Sequence, residues 1–296
     1  MKVAFLYEHP TWTRSLLAAI RARDVEVEAI DVAAFRWRVD QPPPVVDRWI
    51  NRVNSMPSAG RPEAVVAATG QLLAWLELHA QTVINGSAAH RIGCSKASQG
   101  ALFAQVGMGT PASLAIIDPA GAPLAAEAIG YPVLTKPNVG GSGVGIQRFD
   151  RAEDLVAAVG AGEVDLGIDG TGIVQKVLES ADGMVYRIEI VGPEVLYATA
   201  QPLSIGGFNY CAVDGVGGGG KGSTVRLFDP TEDVIGHVRV FMAAAQADVG
   251  SVEFIIDANT GQPSFFDFNP YSNFIEGYDD ELGFNPIERY VDFVLG

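Results

Sequence analysis

Two carboxylates and an amide recur at alternate positions near the end of the chain. Glu253 sits in Ser251-Val252-Glu253-Phe254-Ile255-Ile256-Asp257, and Asp267 and Asn269 sit in Ser264-Phe265-Phe266-Asp267-Phe268-Asn269. Asn259-Thr260-Gly261 between them is a turn signal. A hairpin centred on Thr260 sets Glu253 opposite Asp267, Ser251 opposite Asn269 and Phe254 opposite Phe266. Asp267 and Asn269 share a face because strand side chains alternate. The other face carries Val252, Phe254, Phe266 and Phe268 toward a core. Opposed carboxylates in this register lie ~5 Å apart, and at an effective dielectric of ~20 they repel by roughly 3–4 kcal/mol. A shared proton, a lysine or arginine, or a divalent cation must offset that. Two carboxylates beside a neutral amide oxygen suit a hard cation such as Mg²⁺. The competing arrangement is a register slipped by one, or acids that simply face water.

A second set is Thr135-Lys136-Pro137-Asn138-Val139-Gly140-Gly141-Ser142-Gly143-Val144-Gly145. A strand delivers Lys136, and the glycines after it free the backbone to approach a ligand. Consecutive N–H groups there form an anion nest, to which the lysine adds a point charge. This is no Walker A, since the lysine precedes the glycines and a strand follows them. An ordinary glycine-rich hairpin is the alternative. A third set, Gly215-Val216-Gly217-Gly218-Gly219-Gly220-Lys221-Gly222-Ser223, has glycine where a P-loop needs serine or threonine. It reads as a flap over a substrate or as a plain linker. The chain has no G-x-S-x-G. Cys94, Cys211 and four scattered histidines offer neither a disulfide framework nor a zinc site.

Composition bounds the partners. The 296 residues carry 20 lysines and arginines against 35 aspartates and glutamates, a net charge of −15. No basic stripe is available for nucleic acid, and a polyanionic surface avoids acidic membranes. At 48% hydrophobic residues the chain supports more than one core. The apolar run at residues 3–7 is too short for a signal peptide, and no stretch approaches the ~20 apolar residues of a membrane span. The simplest expectation is a cytoplasmic protein.

The elements that must position these groups follow from periodicity. Residues 3–7, 25–32, 45–53 and 82–85 read as strands alternating with helices at 12–23 and 62–80, which predicts a small parallel sheet. A helix at 95–106 precedes strands at 113–117, 132–136 and 145–149 and a helix at 152–159. Strands are expected at 172–178, 184–191, 194–201 and 224–228, then a helix at 231–247 and the pair 252–256 and 264–268. Asn285, Pro286 and Glu288 mark the start of a last helix.

Taken in order, these pieces resemble the ATP-grasp superfamily, in the branch of the ribosomal-protein glutamate ligase and glutathione-synthetase-like enzymes. The resemblance runs from Ile84 to Gly283. Ile84-Asn85-Gly86 and Ser95-Lys96 are similar to the family's asparagine turn and Asp-Lys pair, and Gly107-Met108-Gly109-Thr110-Pro111 to its G-I-P-x-P step. Lys136 and its loop resemble the phosphate-covering hairpin, and residues 174–179 the strand that reads adenine. Tyr186-Arg187-Ile188-Glu189-Ile190-Val191-Gly192 is similar to D-I-R-x-x-V-x-G, and Phe208-Asn209 to the end of F-R-x-N. Glu253, Asp267 and Asn269 fall on the metal ligands, with the two acids exchanged in length.

The resemblance implies an α/β chain with α+β subdomains: an ATP-grasp fold behind a Rossmann-like pre-ATP-grasp domain. The corresponding domains are 1–86, 87–175 (central, lid) and 176–296 (C-terminal, with the metal site). It implies an ATP-dependent carboxylate–amine ligase working through an acyl phosphate with Mg²⁺ or Mn²⁺, on a small carboxylate and an amine. Dimers or tetramers are common in this fold. Lys96 and Lys136 would hold phosphates, Gly140, Gly141, Ser142 and Gly143 cover them, and Gln175, Lys176, Val177 and Leu178 take adenine. Glu179 and Asn209 would complete the nucleotide contacts, and Arg187 would steady the reacting carboxylate. The family's second arginine is Gln201 here, the F-R-x-N arginine is missing and Val185 replaces an aspartate. Lys221 or Arg226 would restore the lost charge. Arg52 is a candidate for a substrate carboxylate, against a solvated arginine. An ATP-dependent cyclase or kinase, or a non-catalytic ATP-binding module, are the other readings.

Overall fold

A run of residues apolar on both faces needs covering on both faces, and the first strand has such a run. In the computed structural model, which describes residues 1–9, 11–57, 60–203 and 225–296, β1 (Lys2–Tyr7) lies inside a four-stranded parallel sheet. Its neighbours are β2 (Glu26–Asp31), β3 (Arg48–Arg52) and β4 (Val83–Ile84), in the order β2-β1-β3-β4. Val3 and Phe5 pack on Leu16 and Ile20 of α1 (Arg14–Arg21), while Ala4 and Leu6 pack with Leu72, Leu73 and Leu76 of α2 (Val65–Leu78). The strand order reverses between β1 and β3, and such a switch point opens a crevice at the strands' carboxyl ends.

The middle of the chain holds α3 (Ser87–Gly93), α4 (Lys96–Gln105), β5 (Ser113–Ile116), α5 (Ala122–Ile129), β6 (Val133–Pro137), β7 (Gln147–Phe149), α6 (Ala152–Ala161) and β8 (Gly172–Lys176). Its strands form an antiparallel sheet in the order β5-β8-β6-β7. Ala126 and Leu155 of the two helices cover one face through Val133, Phe149 and Val174. The helices α3 and α5 were not foreseen from sequence. The first is only seven residues long, and the second opens Ala-Pro-Leu-Ala with no clear apolar period.

The last third holds β9 (Met184–Val191), β10 (Glu194–Pro202), β11 (Arg226–Leu227), α7 (Glu232–Ala245), β12 (Val249–Ile256) and β13 (Pro263–Asn269). They make an antiparallel sheet in the order β11-β10-β9-β12-β13. Its back packs on α4 and α7 through Ile188, Val252, Phe254, Phe103 and Phe241. After α8 (Asp279–Leu282), α9 (Pro286–Leu295) returns to the first sheet and seats Tyr290, Val291 and Val294 beside Val3 and Phe5. Its expected cap is present: Asn285 Oδ1 accepts the Glu288 N–H at 3.1 Å. Among the described residues no helix is long and apolar enough to cross a membrane.

The β12–β13 register is as expected at the Ser251–Asn269 end and differs beyond Glu253. Ser251 faces Asn269 and Glu253 faces Asp267, but a bulge then sets Phe254 opposite Phe265, not Phe266. The extra residue of a bulge turns its neighbour's side chain to the other face. Phe265 therefore enters the core, and Phe266 lines the cleft instead.

Candidate functional site

Cross-strand pairing lays two rows of side chains on the front of the third sheet. One row reads Thr199, Arg187, Glu253 and Asp267 across β10, β9, β12 and β13, and the next reads Tyr197, Glu189, Ser251 and Asn269. The repulsion expected between Glu253 and Asp267 is met by two cations. Arg187 donates from Nη1 to Glu253 Oε1 at 2.9 Å and from Nε to Glu189 Oε1 at 2.6 Å. Lys96 donates from Nζ to Asp267 Oδ1 at 2.7 Å. Burial still pushes the Glu253 carboxyl up to about 7; Asp267 adds to the rise, while Arg187 and Lys96 oppose it.

Over this floor hangs the second sheet. Lys136 on β6 is buried, and its Nζ stands over the Phe266 ring, 5.5 Å from the centroid. Burial lowers its ammonium pKa to about 8, helped by repulsion from Lys96 and opposed by Asp267 and Glu253. The loop after it docks on the N-terminus of α4. Asn138 O accepts the Lys96 N–H at 3.1 Å, and Asn138 Oδ1 accepts the Ala97 N–H at 3.0 Å. Within the loop Ser142, Gly143 and Gly145 have φ of 53°, 72° and 74°. A Cβ on Gly145 would lie 2.6 Å from the Pro137 ring, so only glycine fits there.

Floor and roof enclose one cavity of about 550 Å³. Lys96, Lys136, Gly140, Gly141, Ser142, Gly143, Gln175, Lys176, Val177, Leu178, Arg187, Glu253, Asp267 and Asn269, all singled out from sequence, line it. Glu179 is exposed and stands outside the lining. Asn209, Lys221 and the glycine run at 215–222 lie outside the described residues. At one end Leu134, Val177, Leu178, Val185 and Ile255 make an apolar slot. There the Val177 N–H is spent on Pro132 O at 3.1 Å, and Lys176 Nζ on the carbonyls of Gly130 and Tyr131 at 2.8 Å each. The Leu178 N–H has no partner among the described residues.

Sequence reasoning missed the other end, where Trp12, Asn54, Ser55, Met56 and Asn273 line the wall. Most come from the carboxyl ends of β1 and β3, the crevice of the switch point, and only its recognition in the strand order could have found them. Arg52 is neither solvated nor in the lining. It is buried, and its Nη2 donates to Ser272 O at 2.6 Å, Tyr271 O at 3.2 Å and Asn273 Oδ1 at 3.3 Å. Among the described residues no three His, Cys, Asp or Glu side chains gather into a metal cluster. The donor set here is two carboxylates and an amide. That set fits Mg²⁺, which takes one or two carboxylates and completes its shell with phosphate oxygens and water.

No family model matches the sequence, and no curated protein matches it. Solved structures do. The chain is similar to a RimK-domain ATP-grasp protein from Sphaerobacter thermophilus, at 16% identity and TM-score 0.71, over 100% of both chains. It is similar to the ATP-grasp ligase PsnB in complex with a minimal precursor, at 15% identity and TM-score 0.67, over 99% of this chain and 98% of that one. It is also similar to the macrocyclase MdnC bound with precursor peptide MdnA from Microcystis aeruginosa, at 15% identity and TM-score 0.66, over 100% and 99%. The chain has the ATP-grasp fold, an α/β architecture, as the sequence motifs implied.

Proposed function

We propose that this chain is an ATP-dependent ligase that activates a carboxylate as an acyl phosphate and joins it to an amine, releasing ADP and phosphate. The observation that carries the reading is the single cavity shared by the Lys136 roof and the Asp267 floor. A nucleotide fits its polarity from end to end. The purine enters the apolar slot and meets the unspent Leu178 N–H, and the triphosphate runs under Lys136 and the backbone N–H groups of residues 141–143. Lys96 and Lys136 hold phosphate oxygens as point charges. Glu253, Asp267 and Asn269 would hold Mg²⁺, which supplies charge neutralisation at the phosphates when bound. PsnB has been captured with Mg and ADP, which supports this cofactor pair. Arg187, in the lining of the floor, would stabilise the acyl phosphate and the tetrahedral intermediate formed when the amine attacks its carbonyl and phosphate leaves; one preorganised donor is worth ~3–4 kcal/mol in such a role.

The acceptor end favours a peptide over a free amino acid. Its wall offers the neutral groups of Asn54, Ser55, Asn273 and Trp12, which suit amide groups better than a charged ammonium or carboxylate. PsnB and MdnC were each captured with a precursor peptide, and joining two side chains of one peptide would make the reaction a cyclisation. The test is phosphate release by the purified protein with amino acids, metabolites and acidic peptides, singly and in pairs. ADP and phosphate appearing only when a carboxylate and an amine are both present is the expected result. A stable phosphorylated product would make the protein a kinase, and nucleotide binding without turnover on any pool would make it a binding module.

A further inference from the structure

Behind Arg187 the third sheet meets the first, and the contact is polar. Six buried side-chain atoms there have no hydrogen-bond partner among the described residues: Arg52 Nε and Nη1, Glu189 Oε2, Ser251 Oγ, Ser272 Oγ and Tyr290 Oη. All five residues are at least nine-tenths buried. They are contiguous. Ser251 pairs with Glu189 across β12 and β9, Arg52 is bonded to the Ser272 carbonyl, and its guanidinium lies 5.6 Å from the Tyr290 ring centroid. Arg52 and Glu189 sense each other's charge, yet no ion pair joins them.

An isolated orphan is an accident of packing, but six on both sides of one seam are not. Each buried polar atom left bare costs about 1–3 kcal/mol. Arginine only donates and carboxylate only accepts, so the group between them must do both. Water does both, and enclosed waters in proteins typically satisfy about three such groups each. We propose that enclosed water bridges Arg52 and Glu189 across this seam, and that Glu189, held in this way, is the positioning residue that aims Arg187 into the cleft.

The geometry gives Glu189 that role. It sits two residues from Arg187 on the same face of β9 and accepts a hydrogen bond from Arg187 Nε at 2.6 Å, while Glu253 accepts one from Nη1 at 2.9 Å. A guanidinium gripped at Nε and at Nη1 has its plane set. Among the described residues the far side of the Glu189 carboxylate faces the seam, toward an arginine that belongs to the first sheet and grips residues 271–273. The aim of Arg187 therefore depends on the docking of the first sheet against the third. Only the target of that aim rests on the ligase reading; the grip does not.

The test reads the Arg187 Nε–H directly, by NMR of the full chain labelled with ¹⁵N-arginine and assigned by the loss of one resonance in Arg187→Lys. The Nε–H is expected to be shifted downfield and slow to exchange with solvent. Glu189→Leu should speed exchange by about tenfold or more, the scale of a hydrogen bond to a charged group. Glu189→Gln, which keeps the acceptor oxygen, should restore most of the protection, whereas a role in charge neutralisation alone would leave it as fast as leucine. Glu189→Asp keeps the charge but shortens the reach; it should speed exchange and serves where leucine does not fold. Arg52→Met should also speed exchange, with no direct contact to Arg187 to explain it. Unchanged exchange in Glu189→Leu and Glu189→Asp, or glutamine behaving as leucine, would overturn the positioning role. Unchanged exchange in Arg52→Met would overturn the bridge. Affinity of the parent protein for an ATP analogue is measured alongside. A parent protein that binds no nucleotide would sink the ligase reading and leave the exchange result standing.

Discussion

Lys96 Nζ and Asp267 Oδ1 lie 2.7 Å apart, tying the first turn of α4 to the last strand of the third sheet across the cavity floor. The pair is only partly buried, so its own worth to the fold is small. Its meaning is competitive: a cation arriving at Asp267 draws on the same oxygen that Lys96 holds. Asp267→Asn should therefore weaken binding of a magnesium–ATP analogue by about tenfold or more, while adenosine, which needs only the apolar slot, binds as before. Calorimetry with both ligands on both proteins checks this. An equal loss for adenosine would mean that the variant acts through the fold.

Lys136 is a charge held where its environment opposes it. Its ammonium pKa is lowered to about 8 by burial, with repulsion from Lys96 second. Between about 8 and the ordinary 10.5 the unfolded chain holds a proton that the folded chain has released, so this group's contribution to stability rises with pH across that window. Nucleotide binding runs the other way. Phosphate favours the ammonium, so affinity should fall as pH rises above about 8, by up to about tenfold per unit. Lys136→Met should abolish that dependence, weaken the nucleotide, and raise the unfolding midpoint of the ligand-free protein by an amount equal to about 1 kcal/mol. A methionine variant less stable than the parent would contradict the desolvation argument.

The pairing of the floor residues was legible in the sequence and that of their neighbours was not, for physical reasons. Strand alternation and a turn at Thr260 were enough to set Glu253 against Asp267, because register propagates with a period of two. They could not locate the bulge, since Phe265 and Phe266 are the same residue type and either could face the core. Lys136 and its loop were legible because glycines in that number mark unusual backbone. Glu189 carried no signal, being one acid in a strand that otherwise matched a motif, and its importance appears only when Ser251 and Arg52 are brought against it. Trp12, Asn54 and Asn273 lie in loops at element ends, where neither periodicity nor spacing applies.

Glu253 gives a pH dependence of opposite sign to that of Lys136. Burial raises its carboxyl pKa from 4.5 to about 7. For an acid whose folded pKa lies above the unfolded one, the stability it contributes is fully present below the unfolded value and is lost as pH rises through the folded value. The urea midpoint of the ligand-free protein should therefore decline from about pH 4.5 to about pH 7 more steeply than that of Glu253→Gln, which has no proton to lose. Metal–nucleotide affinity should climb over the same interval, because a hard cation needs the ionised carboxylate. Parallel urea titrations of parent and variant at several pH values are the measurement; identical slopes would remove Glu253 from the account.

Asn85 offers a test of how the first sheet is joined to the third. It is buried at φ 54°. Its Oδ1 accepts the N–H groups of Asp248 and Val249 at 2.9 and 3.1 Å, and its Nδ2 donates to the carbonyls of Val249, at 2.9 Å, and Pro270. Four backbone groups at the ends of β12 and β13 thus close on one side chain, and Asn51 Nδ2 holds its carbonyl at 3.0 Å. Asn85→Ala removes all four partners from groups that water cannot easily reach, and it keeps a β-carbon in left-handed backbone without the amide that holds it there. The expected loss is about 3 kcal/mol or more. Asn85→Gly loses the same bonds but relieves the backbone, and should be less destabilised than alanine by about 1 kcal/mol. Urea unfolding of the three proteins checks the order asparagine, glycine, alanine. Alanine matching glycine would show that the backbone at residue 85 relaxes out of its left-handed conformation once the side chain is gone.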